Sequence, residues 1–314
     1  MNISELKRIF ENLSRLENWS LLLLKAKHKQ NESLYKSRKI LFNPENIIDD
    51  FVQDLFSYYI EDGNGKLLNF IDIEPYDGAN LSSAIYFLKS DNEVIREPLH
   101  NLLKGVSDPN VESDISLYKT AYMLSNVAQI DGQKIPVKII TIKNPIKAFK
   151  YSYSDFSKRD GTFTKVNDNV VSLSSRIDCL FLGDTIFFFN LFPESFFNMK
   201  RTFRKICNEK VEKIVAKGLV SNSETFKKYA TSSHNPQRFV TFSEENFNLL
   251  TALDVRKKIS DKFGIPLVGE KHLFDSSYEV FVNNLIKVLC QKAASEPFYD
   301  RPVETTSIKP WNRG

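Results

Sequence analysis

Cysteine is scarce in this chain. Cys179, Cys207 and Cys290 are the only three in 314 residues, and no two form a C-x-x-C pair. That usage excludes a disulfide scaffold and the common zinc-site spacings, and it suits a reducing cytosol. Histidine is scarce too: His28, His100, His234 and His272 are isolated, so no cluster offers metal ligands or a partnered general base. No apolar run approaches the roughly 20 residues of a membrane helix, and "LLLL" at 21–24 falls far short of it. The opening "MNISELKRIF" has no apolar signal-peptide core. The expectation is a cytoplasmic protein that is held at a membrane, if at all, by another chain. No Walker A loop, G-x-G-x-x-G, G-x-S-x-G or H-E-x-x-H occurs; "GNGK" at 63–66 lacks both the earlier glycine and a following Ser or Thr. No cofactor or metal is therefore expected.

What is present is ordinary for a globular protein, with 42% hydrophobic and 26% charged residues and a net charge of +4. Phenylalanine is abundant at 25 residues and methionine rare at three, which points to cores built from rigid aromatics. Leu6, Ile9, Phe10, Leu13 and Leu16 recur at helical spacing over 3–16. "WSLLLLKAK" and "LYKSRKILF" read as strands around a polar turn at Gln30 to Glu32. A helix is expected over 44–61, capped by Asn43 and started by Pro44, with Ile47, Ile48, Phe51, Leu55 and Tyr59 as its stripe. "KLLNFIDIE" reads as a strand, and a helix is expected around 93–105. "TAYMLSNVAQI" and "KIPVKIITI" flank Asp131-Gly132, a strong hairpin signal, and "SKRDGTFT" at 157–164 holds another Asp-Gly turn. Beyond Pro193 the periodicity is helical, with helices expected from about 200, around 222–230, 243–262 and 276–292.

The fold class expected is α+β: an N-terminal α/β region over 1–117, a β-rich middle over 118–192, a helical region over 193–292 and an extended tail over 293–314. The middle closes on "RIDCLFLGDTIFFFNLF" at 176–192. Gly183-Asp184 fits a type II′ turn, which sets Leu182 opposite Thr185. Ile177, Cys179, Phe181, Ile186 and Phe188 then share one face; Leu180, Leu182, Phe187 and Phe189 share the other with Asp178 and Thr185. Both faces are apolar, so a central hairpin covered on both sides, or covered by a partner chain on one, is expected.

Asp178 is the carboxylate best placed for chemistry. A metal-dependent nuclease sets an acid near one strand end and a second acid with a lysine on the next strand. Here the next strand is "TIFFFN", with neither, so a structural role is preferred, in which Asp178 caps a strand or pairs with a buried base such as Arg176 or another cation. Basic clusters are the more positive signal. Lys200, Arg201, Arg204 and Lys205 open a helix that also carries Lys210, Lys213 and Lys217, against Glu209 and Glu212. Lys134, Lys138, Lys143, Lys147, Lys150, Lys158, Arg159 and Lys165 lie in the β region against only Asp155 and Asp160. Residues 66–119, by contrast, carry five bases and nine acids. Such segregation suits a phosphate backbone, and Tyr151, Tyr153 and Phe156 among the bases could stack on nucleic acid. DNA binding through Lys200, Arg201, Arg204, Lys205, Lys134, Lys138, Lys143, Lys147 and Lys150 is the expectation.

The order of parts resembles the KwaB-like subunit of the Kiwa anti-phage defence system of bacteria. The "DDFVQDLFSYYI" helix, the β-rich middle and "RIDCLFLGDTIFFFNLFPESFFNM" carry the likeness, which covers most of the chain to about 290. The resemblance implies a non-enzymatic effector that binds phage DNA without sequence preference and hinders its replication and transcription. It implies dimers or larger homo-oligomers acting with a membrane-embedded KwaA-like subunit. The competing readings are a defence nuclease using Asp178 or an acid from "DIEPYD" at 72–77, and a structural adaptor that ignores nucleic acid.

Overall fold

The computed structural model describes residues 1–29, 32–41, 46–60, 70, 72–76, 84–107, 117–130, 132–147, 156–159, 162–165, 170–232, 235–242 and 244–290. The chain divides into two compact units. The first takes in Met1–Pro75 and Leu81–Asn198, and the second Tyr76–Asn80 and Met199–Gly314. The class is α+β, as expected.

The first unit is built on one eight-stranded sheet. Its strands are β1 (Ser20–His28), β2 (Ser33–Ile40), β3 (Asp72–Pro75), β4 (Ala84–Lys89), β5 (Ala121–Ile130), β6 (Gln133–Thr141), β11 (Cys179–Leu182) and β12 (Thr185–Phe188). Short strands β7 (Ile146–Lys147), β8 (Phe156–Arg159), β9 (Thr162–Lys165) and β10 (Val170–Val171) pair off outside it. The spatial order is β2-β1-β5-β6-β11-β12-β4-β3, antiparallel except for the parallel β3–β4 pair. The N-terminal and middle segments thus share a sheet, because β1 pairs with β5.

Leu21 and Leu23, Leu124, Val137 and Ile139, Leu180 and Leu182, Phe187 and Ile85 line one face. Helices α1 (Ile3–Leu13) and α2 (Ile47–Ile60) bury their apolar stripes in the same core. A reciprocal Asn2–Glu5 capping box starts α1, with both bonds at 2.9 Å. The Asp49 carboxylate in the first turn of α2 accepts the backbone N–H groups of Asn18 and Trp19 at 2.8 and 2.9 Å, which fixes the bend between α1 and β1. The expected cap and first turn at Asn43 and Pro44 lie outside the described residues.

Helix α3 (Arg96–Ser107) lies against β2, where Ser37 donates to the Gly105 carbonyl at 2.9 Å. A methyl group on Gly105 would sit 2.2 Å from the Tyr35 carbonyl oxygen, so only glycine permits this approach. Tyr35 in turn packs on Phe196, in α4 (Phe192–Phe196), and on Phe197, with ring centroids 5.4 and 6.5 Å away.

The hairpin of β11 and β12 forms in the expected register, with Leu182 opposite Thr185 and Cys179 opposite Phe188. Gly183 has φ +62° and Asp184 is not among the residues with positive φ, the sign pattern of a type II′ turn. The hairpin is buried on both faces and lies inside the sheet, between β6 and β4. β4, its partner on one side, is an element for which no expectation existed. Its sequence "AIYFLK" is a short apolar run without alternation, in a segment whose acids suggest loop. The strand expected over 66–74 is described only from Asp72, as β3.

The second unit is mostly helical: α5 (Met199–Ala216), α6 (Ser223–Ala230), α7 (Asn235–Arg238), α8 (Glu244–Leu249), α9 (Leu253–Phe263) and α10 (Glu279–Leu289), with the short β13 (Leu267–Val268) and β14 (Leu273–Phe274). The single helix expected over 243–262 is two, α8 and α9, because the chain turns at Thr251 and Ala252 on bonds back to Asn248 and Leu249.

Gly105→Ala is expected to destabilise the protein by roughly 1–3 kcal/mol, the usual range for overpacking against backbone. Denaturant unfolding checks this, and an unchanged midpoint would show that α3 can shift off β2.

Candidate functional site

The apolar face of α5 carries Met199, Phe203, Ile206, Cys207, Val211 and Ile214, all buried. This leaves Lys200, Arg204 and Lys205 exposed and Arg201 partly so. Lys200 with Arg204, and Arg201 with Lys205, are neighbours four residues apart, where like charges repel. No acid stands in the first turn of α5. The four cations therefore crowd the end of the helix where the macrodipole is already positive. None of the four has an ion pair among the described residues.

The cations further along behave differently. Lys210 and Lys213 share the Glu244 carboxylate at 2.7 and 2.8 Å, and Lys227 of α6 meets Glu212 at 2.8 Å. The two lysines hold the Glu244 carboxyl below its ordinary range. The C-terminal part of α5 is thus charge-compensated, while its N-terminal turns are not.

The lysines of the middle region do not gather in one place. Lys134 and Lys138 alternate on one face of β6; Lys134 is exposed, whereas Lys138 is half-buried opposite Phe181. Burial lowers the Lys138 pKa, so this site opposes its charge. Lys143 is exposed beyond the other end of β6, on the order of 30 Å from Lys134 at about 3.3 Å per strand residue. The side chain of Lys147 and residues Lys150, Tyr151 and Tyr153 lie outside the described residues, as does the side chain of Phe156.

Asp178 precedes β11 and is wholly buried. The Arg176 guanidinium grips it, with Nε 2.8 Å from Oδ1 and Nη2 donating to Oδ2 at 3.1 Å. The Ile142 N–H donates to Oδ2 at 2.6 Å, and the Asn190 amide donates to Oδ1. The backbone of Asp178 also donates to Ile140 and accepts from Phe189, both at 3.1 Å. Both oxygens are thus occupied by protein donors, and the carboxylate joins the ends of β6, β11 and β12. The pairing with Arg176 is the structural role read from the sequence; Asn190 and Ile142 carried no signal there. Of the acids in "DIEPYD", Asp72 accepts the Ile73 N–H at 2.7 Å, Glu74 lies on β3, and Asp77 lies outside the described residues. Among the described residues no three His, Cys, Asp or Glu side chains gather to hold a metal ion. Asp184 does more than turn the chain: Lys89 of β4 binds it at 3.0 Å and ties that strand to the hairpin.

A mixed sheet with a helical C-terminal unit and an uncompensated basic helix face defines a class of protein rather than a member. A family model described as "Kiwa protein KwaB-like" matches residues 119–290. That is more than half of the chain, and the chain belongs to this family, which places it in Kiwa anti-phage defence. No curated protein and no solved structure matches it. Among the described residues no helix is long and apolar enough to cross a membrane.

Asp178→Ala would leave the Arg176 charge and two amide donors without their acceptor. The Arg176 side chain is 41% exposed and can be solvated, so a loss of roughly 1–3 kcal/mol is expected, the cost of leaving buried donors unsatisfied, and chemical denaturation measures it. Burial pushes the nearby Tyr59 phenol up to about 12 from its ordinary 10.0, while its bond from the Ile177 N–H works the other way. The folded state keeps this proton longer than the unfolded one. The Tyr59 contribution is therefore complete below pH 10.0 and is lost as pH rises from there through about 12. Tyr59→Phe should make the alkaline fall in stability less steep, as followed by unfolding at a series of pH values.

Proposed function

We propose that this protein is a non-enzymatic DNA-binding subunit of a Kiwa system, and that Lys200, Arg201, Arg204 and Lys205 of α5 are its principal phosphate contacts. The observation that carries this reading is the contrast along one helix. Lys210 and Lys213 in its C-terminal half are paired with Glu244, while four cations near its N-terminal end have no ion pair among the described residues. Like charges at four-residue spacing and at the positive helix end each cost about 0.2–1 kcal/mol. Such a cost is offset when a polyanion arrives. Flexible cations aimed at phosphates carry no sequence information, so binding is indifferent to sequence. Lys134 and Lys143 serve as secondary contacts, with Lys147 and Lys150, and half-buried Lys138 contributes least.

In this reading the subunit works as a homodimer or larger homo-oligomer at the inner face of the cell membrane. It is held there by a membrane-embedded KwaA-like partner, and it hinders phage DNA replication and transcription by occupying the DNA.

DNA affinity should fall steeply with salt through counterion release. Reversing Lys200, Arg201, Arg204 and Lys205 to glutamate should flatten the slope of log K against log salt by up to about 3.6. The same variant should be about as stable as the parent, because glutamates suit the positive end of the helix dipole while like charges four residues apart persist with the opposite sign. Gel-shift titrations at several salt concentrations decide the matter: affinity and slope that survive the four reversals would overturn the assignment.

A further inference from the structure

Beside the Asp178 clamp, within the first unit, lies a pocket of about 320 Å³ that the DNA reading does not use. The last turn of α2 supplies Tyr58 and Tyr59, and the clamp segments supply Ser175, Arg176 and Phe189, with Phe70 opposite. Its walls are aromatic. Phe189 stands edge-on to Tyr59, centroids 5.9 Å apart at 73°, and edge-on to Phe70, 5.5 Å at 82°. Tyr59 and Phe189 also pack on Phe10, with centroids 6.0 Å away in each case, and are only 7% exposed, so the ring most open to a flat ligand is that of Tyr58. Tyr58 is itself edge-on to Tyr59 at 5.7 Å and 52% exposed, so its ring stands at the mouth.

The polar groups around these walls have spare donors. The Tyr59 hydroxyl accepts the Ile177 N–H at 2.9 Å, and its own proton finds no acceptor among the described residues. Burial keeps that phenol protonated. Arg176 donates Nη2 to Asp178, with Nε in ion-pair distance of it but making no hydrogen bond, and Nη2 also approaches the Ile142 carbonyl at 3.4 Å; Nη1 has no partner among the described residues. The Ser175 hydroxyl is likewise without one among the described residues. The Asn190 side chain is used in both directions, donating to Asp178 and accepting from Phe192. The Asp178 oxygens are fully buried and bonded, so the nearest carboxylate offers a ligand nothing. Aromatic walls with converging donors match a flat ring that carries acceptors. The Arg176–Asp178 pair makes the floor nearly neutral, which suits a heterocycle there better than a phosphate.

We infer that this pocket binds a single nucleotide, its base stacked on the exposed ring of Tyr58 with ring acceptors on Tyr59 and Arg176 and its phosphate outward into solvent. The volume, at the lower end of the roughly 300–1,000 Å³ of ligand sites, holds one nucleotide. Free nucleotide and an unpaired nucleotide within a strand share this chemistry; only the second source rests on the DNA reading.

Calorimetric titration of the full chain tests the inference with the four deoxynucleoside monophosphates, a short single-stranded oligonucleotide, and ribose 5-phosphate as a probe without a base. The oligonucleotide is titrated into the variant with α5 charges reversed, which removes backbone contacts at that helix. Tyr58→Ala at the exposed mouth leaves the core intact and should weaken binding roughly tenfold or more, the scale of one lost stacking contact. Tyr59→Phe, which removes one donor, should weaken it as well, while the α5 reversals leave mononucleotide affinity unchanged. Monophosphate binding that depends on Tyr58 identifies free nucleotide as sufficient; binding of the oligonucleotide alone with that dependence identifies a strand as the source. Binding of neither probe in a Tyr58-dependent way, or ribose 5-phosphate binding as tightly as the nucleotides, would overturn the inference. None of these outcomes alters the test of α5, whose failure shows separately in duplex binding.

Discussion

The first unit depends on a single buried carboxylate. In a half-buried sheet the alternation of apolar and polar residues fixes register, because a slip of one residue turns every side chain to the wrong face. β11 and β12 are buried on both faces, so a slip would exchange one apolar set for another. Register must then come from the hairpin ends. At one end the Gly183-Asp184 turn sets Leu182 opposite Thr185, and Lys89 binds Asp184 to anchor β4. At the other end Asp178 binds Arg176, Ile142 and Asn190 and so fixes where β6, β11 and β12 stop relative to one another. The ion pair with half-exposed Arg176 adds little net stability; what the clamp contributes is register, because a slip would leave the buried Asp178 charge and its donors uncompensated.

The electrostatic balance on α5 is the reverse of that at the clamp. At Asp178 every charge is matched. At Lys200, Arg201, Arg204 and Lys205 none is, and the helix dipole adds to the imbalance. A fold that compensates Lys210, Lys213 and Lys227 with acids has the means to compensate the other four. Leaving them bare is a local cost to stability of the kind that surfaces for binding anions commonly carry. Membership of the KwaB-like family sets that surface in Kiwa anti-phage defence.

Much of this was legible in the residues, and the limits follow from physics. The Gly183-Asp184 hairpin, its two faces and the Arg176–Asp178 pair were readable because glycine-led turns and neighbouring opposite charges act locally. The basic stripe was readable because α5 has an unbroken apolar period. β4 was not, since a six-residue apolar run between acids has no period of its own and becomes a strand only by pairing with β12. Lys138 looked like its neighbours in a charge count, yet pairing with β11 half-buries it opposite Phe181. Asn190 and Ile142 at the clamp, and Gly105 beneath Tyr35, depend on contacts between residues far apart in the chain. A glycine inside the helical "NLLKGVS" was nonetheless a hint of close approach.

The central claim is that DNA lies along the N-terminal turns of α5, and chemical footprinting of lysines on the intact protein addresses it most directly. Amine-reactive labelling with and without duplex DNA, read out residue by residue, should show Lys200 and Lys205 strongly protected and the Glu244-paired Lys213 little changed. Unchanged reactivity at Lys200 and Lys205 under saturating DNA, with protection elsewhere, would contradict the account.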